Sequence, residues 1–317
     1  MELSARPLRE TKRDLALFVD RQELDTASRA LEHHGNVLIL GSRGIGKSSL
    51  LAALSRRLRN HDVPVLSVNG RVAGSAVELL TLLRAQLVAD DRGPPLGAAS
   101  RALQVELRAL RASLEEPWTV ALVDEVNSPE VAHTLFGRLR DELWELPLGW
   151  AVAADERARA NYLEPPADAF WRRVLTLPPL SRSESEELVR RRVPADRLPE
   201  DVLGLMVEEA GGNPRRLLAF AYDVLVDNQD PQRLVDNLRE RESRRTELSK
   251  PARRLLAELE AAGPAGPSDE ALLRRLGWSR SRASQVFSEL EANGFVRADE
   301  RPSKAGRRPR RIFALER

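Results

Sequence analysis

Residues 36–49 read Asn36-Val-Leu-Ile-Leu-Gly-Ser-Arg-Gly-Ile-Gly-Lys-Ser-Ser49. Val37 to Leu40 form a short apolar run of the kind that becomes a fully buried strand. Gly41 to Ser48 follow at once as G-x-x-x-x-G-K-S, the phosphate-cradling loop pattern. Leu50, Leu51, Leu54 and Leu58 then recur at helical spacing. Strand, glycine loop and helix start therefore arrive in the order that phosphate binding requires. Glycines let backbone N–H groups wrap an anion, and the helix N-terminus adds its positive dipole. The pattern assigns nucleotide contact to Gly41, Ser42, Arg43, Gly44, Ile45, Gly46, Lys47, Ser48 and Ser49. Lys47 reaches the β- and γ-phosphates, and Ser48 ligates Mg²⁺.

Composition singles out the same lysine. The chain of 317 residues has four lysines, at 12, 47, 250 and 304, among 50 basic residues, so the other 46 are arginine. Lys47 is the one lysine between residues 13 and 249, and arginine does not replace lysine at a phosphate-binding point charge.

A phosphate loop works with an acidic partner. Trp118-Thr-Val-Ala-Leu-Val123 is a second buried-strand pattern, ending in Asp124-Glu125. Asp124 fits the residue that holds Mg²⁺, and Glu125 fits the base that polarises an attacking water. Between the two motifs in the chain lies a further strand, Val63 to Val68, ending in Asn69. Helical stretches at about 74–90 and 98–116 follow, separated by Gly93-Pro94-Pro95. This alternation predicts an α/β domain with a parallel sheet covered by helices.

These motifs resemble the AAA+ ATPases, in the branch shared by origin-recognition initiator ATPases and STAND signalling ATPases. The resemblance spans about 18–240. Phe18-Val-Asp-Arg-Gln-Glu-Leu24 resembles the box that precedes the phosphate loop and borders the adenine, which brings Arg21 to the nucleotide. Asn69 matches the asparagine that restrains the glutamate corresponding to Glu125. Arg172-Arg173-Val174 resembles the box whose arginine acts as a finger on a neighbouring subunit's ATP. Arg173 is the candidate, with Arg172 beside it as an equal alternative. Gly211-Gly-Asn-Pro-Arg215 resembles the lid motif that presents the sensor 2 arginine, Arg215. The sensor 1 position departs from the family pattern. Gly149 to Ala154 is followed by Asp155, where Asn, Thr or Ser is usual, so Asp155 takes the place of the residue that orients the lytic water.

The lid is also legible physically. Ser181-Arg-Ser-Glu184 is a capping box that opens a helix. Gly211-Gly212 end a later helix, Asn213 caps the next and Pro214 occupies its first position. Arg215 then sits in a first turn, where a cation opposes the helix dipole, so an anionic partner accounts for it better than local stability does.

Charge divides unevenly. The whole chain has 50 basic and 48 acidic residues, yet residues 245–317 carry 16 basic against 10 acidic, leaving 34 against 38 elsewhere. The basic end reads as a winged helix. One helix spans Ser249 to Ala262, a second is capped by Ser268 and ends at Gly277, and a third runs from Ser279 to Gly294. Phe295-Val296 and Arg311 to Leu315 supply the two wing strands. Ser279, Arg280, Arg282, Ser284 and Gln285 crowd the start of the third helix, where they suit base edges and phosphates of duplex DNA. Arg301, Lys304, Arg307, Arg308 and Arg310 fill the wing and suit phosphate or minor-groove contact.

The expected architecture is a base domain at 1–179, a helical lid at 180–244 and a winged helix at 245–317, within ordinary domain sizes of roughly 100–200 residues or less. Absence of cysteine excludes disulfides, thiol nucleophiles and cysteine-based zinc sites. The four histidines lack metal-ligand spacing. No apolar run approaches the roughly 18 residues of a membrane span, and residues 1–13 lack a signal-peptide core, so a soluble cytoplasmic protein is expected. Trp144, Trp150 and Trp171 read as core. The leading functional expectation is an ATP- and Mg²⁺-dependent, DNA-binding ATPase that self-associates through a trans arginine. Initiator, loader, transposition and defence roles all stay open. The alternatives are a STAND-like nucleotide switch with little turnover and a scaffold whose winged helix binds protein.

Overall fold

The structure is a computed structural model, and it describes residues 2–87, 101–114, 118–126, 128–301 and 310–315. The chain divides into two compact units, Met1–Pro231 and Gln232–Arg317.

Five parallel strands organise the first unit. They are β1 (Val37–Gly41), β2 (Val65–Asn69), β3 (Thr119–Asp124), β4 (Leu148–Asp155) and β5 (Arg173–Thr176), in the spatial order β2-β3-β4-β1-β5. All four ladders are parallel. β1 is buried along its whole length, as an apolar run without alternation requires of a central parallel strand. Side chains still alternate between faces. Leu38 and Leu40 join Val123, Val152 and Trp150 in a core on one side, with helices Ala76–Arg84 and Arg101–Ser113. Val37 and Ile39 join Leu122, Ala151 and Ala153 in a core on the other, with helices Gln22–Glu32 and Lys47–Asn60. Leu50, Leu51, Leu54 and Leu58 all point into that second core, as their spacing implies.

Three lid helices, Arg182–Arg190, Glu200–Ala210 and Pro214–Leu225, complete the unit. The Ser181–Glu184 capping box is formed. Helix Glu200–Ala210 ends at Gly211 in the left-handed conformation, and Asn213 accepts from the N–H groups of Arg215 and Arg216. Arg192 donates to the carbonyls of Leu17 and Leu188, so the lid is bonded to the base.

The second compact unit takes in a long helix ahead of residue 245. The chain turns through left-handed Asn228 and restarts as the helix Pro231–Glu247. Arg245 then pairs with Glu260 at 2.9 Å inside the second unit. Helices Lys250–Ala262, Glu270–Leu276 and Arg280–Ala292 pack Leu255, Leu272, Val286, Phe287 and Leu290 into one core. Antiparallel β6 (Val296–Arg301) and β7 (Arg310–Leu315) close it, with Phe313 stacked on Phe287 at 4.6 Å. This is the winged-helix arrangement. The cap of the middle helix is Asp269 rather than Ser268: its carboxylate accepts from Leu272 N–H at 3.0 Å. A second correction concerns Trp144, which is half exposed at the edge of the core, with Phe170 stacked on its ring and Arg140 over it. Trp150 and Trp171 are buried.

Candidate nucleotide site

Parallel strands deliver their C-terminal ends to one edge of the sheet, where ligand sites of such folds form. Gly41, Asn69, Asp124 and Asp155 are the last residues of β1, β2, β3 and β4. Their register sets them side by side: Asn69 opposite Asp124, and Gly41 opposite Asp155. The loop after Gly41 turns through Gly44 (φ 84°) and Gly46 (φ 106°) into helix Lys47–Asn60. Only glycine fits at Gly44. Beyond its left-handed φ, a Cβ there would sit 2.8 Å from both Arg215 Cβ and Asn213 Oδ1.

That contact brings the lid to the loop. Arg215 N–H donates to Gly44 O at 3.3 Å, and Asn213 Nδ2 donates to Arg43 O at 3.0 Å. Gly212 makes the approach possible, since its own backbone is bonded to Leu180 with no room for a side chain. Burial lowers the Arg215 pKa, Arg43 and Arg71 push it the same way, and Glu125 opposes them.

Lys47 is buried and donates to Gly41 O at 2.7 Å and Ser42 O at 3.1 Å. Burial lowers its pKa, while Asp155, Glu125 and Asp124 act to raise it. Arg21 donates to Ile45 O at 3.1 Å and to Pro178 O, tying the loop to the segment after β5. Ser49 accepts from Leu8 N–H at 3.2 Å, which holds the N-terminal segment against the start of the loop helix.

The acids behave differently from one another. Asp124 Oδ1 is buried without a hydrogen-bond partner. Such an atom is costly unless it meets a ligand, and a hard cation or its water suits it. Together with the left-handed glycines, the buried Lys47 and Ser48 on the first turn, this orphan oxygen fits a Mg²⁺–triphosphate group. Asp155 accepts from Arg157 N–H at 3.0 Å and so caps the turn after β4. Glu125 adopts a left-handed backbone (φ 58°), and its carboxylate is held by Arg71: Nε donates to Oε2 at 3.0 Å, and a second guanidinium nitrogen donates to the same oxygen. Asn69 does not hold Glu125; its Oδ1 accepts from Arg71 N–H at 3.1 Å and caps the turn Gly70–Val72. Arg71 is the residue that sequence reasoning missed. Its only signal was a cation two positions past a strand end, in a chain full of arginines.

Arg172 and Arg173 are not brought into this cluster. Arg173 opens β5 opposite Val37, at the far end of β1 from Gly41. Four strand steps place the two rows roughly 13 Å apart. There Thr26, Arg29, Ala30, His33, Arg172 and Arg173 line an open cavity of about 390 Å³.

In the second unit, Ser279 caps helix Arg280–Ala292. Arg280, Arg282, Ser284 and Gln285 are exposed, while Ala283, Val286, Phe287 and Leu290 face the core. Lys304, Arg307 and Arg308 lie outside the described residues, as do the side chains of Arg301 and Arg310.

No protein-family model matches the chain, and no curated protein matches it by sequence. Solved structures do match. The Aeropyrum pernix ORC1 protein, solved in complex with DNA, is 18% identical with a TM-score of 0.56, over 96% of this chain and 93% of that one. The Aeropyrum pernix ORC2 protein, solved as ADPNP and ADP complexes, is 20% identical with a TM-score of 0.55, over 98% and 91%. Cdc6p from Pyrobaculum aerophilum is 15% identical with a TM-score of 0.54, over 95% and 93%.

The chain has the AAA+ ATPase fold.

At these identities the likeness speaks for the fold, and the AAA+ resemblance read from the motifs extends over the lid and the winged helix as well. Among the described residues, no helix is long and apolar enough to cross a membrane.

Proposed function

We propose that this AAA+ chain is a DNA-binding ATPase whose nucleotide state governs its assembly on duplex DNA. The observation that supports it best is the pairing of a formed phosphate loop with an orphan Asp124 oxygen beside it. Gly41 to Ser49 wrap the phosphates, Lys47 leaves its loop carbonyls for the β- and γ-oxygens, and Arg21 and Arg215 brace the loop from either side. Ser48 and Asp124 hold Mg²⁺, which when bound neutralises charge developing on the phosphates. Glu125 takes a proton from the attacking water, and Asp155 orients that water. Arg173, or Arg172 beside it, completes a neighbour's site, since it lies at the wrong end of the sheet for its own. Base at 1–179, lid at 180–244 and winged helix at 245–317 remain the proposed functional divisions. Ser279, Arg280, Arg282, Ser284 and Gln285 meet DNA from the exposed helix face, with the wing arginines and Lys304 on the backbone.

A second reading has its own observation. With Glu125 tied to Arg71, the base is not free, which favours a nucleotide-held switch with little turnover. The ATPase rate of wild type and Glu125→Gln, with and without duplex DNA, separates the two. DNA-stimulated turnover, lost in the variant and weakening steeply with salt, supports the ATPase. Tight nucleotide binding with negligible turnover in both proteins supports the switch.

A further inference from the structure

The Arg71–Glu125 pair is built in an unusual way for a permanent ion pair. Both guanidinium bonds land on one oxygen, Oε2, rather than forking across the carboxylate. The Arg71 side chain is 51% exposed, and exposed pairs of this kind contribute little stability. The turn that carries it is nonetheless set with care. Asn69 caps it, and Gly70 is pressed against Glu125, since a Cβ at Gly70 would lie 2.7 Å from Glu125 O. Val72, the next residue, is 65% exposed, so its side chain is left uncovered by the described residues. Arg71 is also near enough to the loop and the lid to lower the pKa values of both Lys47 and Arg215. Its partner Glu125 directly follows Asp124 at the end of β3, so Arg71 is held at the same edge of the sheet as the loop that would present a γ-phosphate.

We propose that Arg71 is a latch on Glu125 that exchanges the carboxylate for the γ-phosphate of a bound nucleoside triphosphate. The inference rests on the ATPase reading above and adds to it a response to the third phosphate. With ADP or an empty site, Glu125 is the nearest partner for Arg71 and the base is withheld. A γ-phosphate carries more charge and more acceptor oxygens than one shared carboxylate oxygen, so it wins the guanidinium. Glu125 is released at the moment a cleavable bond is present. Arg71 then touches substrate and counts as a catalytic residue, acting within its own subunit.

The test is a binding cycle that does not depend on hydrolysis. Titration calorimetry compares ADP with a non-hydrolysable ATP analogue, both with Mg²⁺, on wild type, Arg71→Ala, Glu125→Gln and the double variant. Arg71→Ala is expected to weaken the triphosphate by about tenfold and ADP by less than about twofold. Glu125→Gln frees Arg71 and tightens the triphosphate several-fold, and the double variant loses that gain. Arg71→Lys, which keeps the charge but not the fork, falls between wild type and Arg71→Ala. Equal weakening of both nucleotides by Arg71→Ala, or effects that simply add in the double variant, overturn the exchange and leave the ATPase reading standing. A wild-type chain that binds neither nucleotide overturns both.

Discussion

The two ends of the central sheet are made of the same strands and are finished in opposite ways. At the C-terminal end, several charged side chains are bonded within the chain, while Asp124 Oδ1 is left without a partner. Lys47 is held by loop carbonyls, Arg21 by Ile45 and Pro178, and Glu125 by Arg71. At the N-terminal end, Arg172 and Arg173 find no side-chain hydrogen bond or ion pair among the described residues, and no acid lines the cavity they share with Arg29 and His33. One end is an internally bonded arrangement around the glycine loop. The other is an open cationic face on an edge strand, with Val174 of β5 38% exposed. On the proposed function, these two ends would meet in a head-to-tail contact between copies, the open end of one serving the loop end of the next.

The sharpest way to break this pairing is to separate its halves. Replacing Arg172 and Arg173 together by Ala is expected to lower turnover by about a thousandfold, the scale of a lost arginine finger. Glu125→Gln is silent for a different reason, in the other half of the site. Mixing the two inactive proteins restores a fraction of wild-type turnover, because some contacts join an intact loop end to an intact arginine end. A mixture that stays inactive at concentrations where the wild type assembles breaks the trans assignment.

A smaller effect is expected at the loop end itself. Lys47→Arg keeps the charge but brings a planar fork into a pocket shaped for an ammonium between two carbonyls. Triphosphate affinity should fall by about a hundredfold, while the same exchange of type at exposed Arg173 to Lys costs far less. Calorimetry on both variants shows whether the two ends differ in their tolerance as their surroundings imply. Equal tolerance removes the distinction between a shaped site and a charged face.

The same contrast explains what the sequence disclosed. The loop end was legible because its residues are contiguous: strand, glycines, lysine and helix follow one another, and burial along β1 repeats the apolar run. Asp124 and Asp155 were legible because each terminates an apolar strand. Arg71 was not, since its meaning comes from a contact 54 residues away across the β2–β3 edge. Asn69 drew attention through resemblance, and the structure gives it the turn beneath Arg71 instead of the glutamate. The helix Pro231–Glu247 is polar, so its sequence alone does not say which core it joins.

The loop end is also braced by the N-terminal segment, and this is where the smallest effect is expected. Asp14 is buried, receives Arg6 at 2.5 and 3.0 Å and Arg9 N–H at 2.8 Å, and lies in the segment whose Leu8 binds Ser49. The Arg6 guanidinium and the Arg9 amide hold its carboxyl well below the usual carboxylate range. A carboxylate with a depressed folded-state pKa stabilises the fold fully above its unfolded value of about 3.9, and the contribution is lost as pH falls below that. Asp14→Asn should therefore cost about 1 kcal/mol at pH 7, with the gap to wild type closing as the pH is lowered from about 4. Arg172→Ala and Arg173→Ala, at the open end, should each change stability by less than about 0.5 kcal/mol at any of these pH values. Denaturant melts across this range read both. A gap for Asp14→Asn that persists unchanged into acid means the side chain acts by shape and not by charge. A stability loss at Arg173 means the open end is braced after all, by contacts that would have to be broken before a second copy could use it.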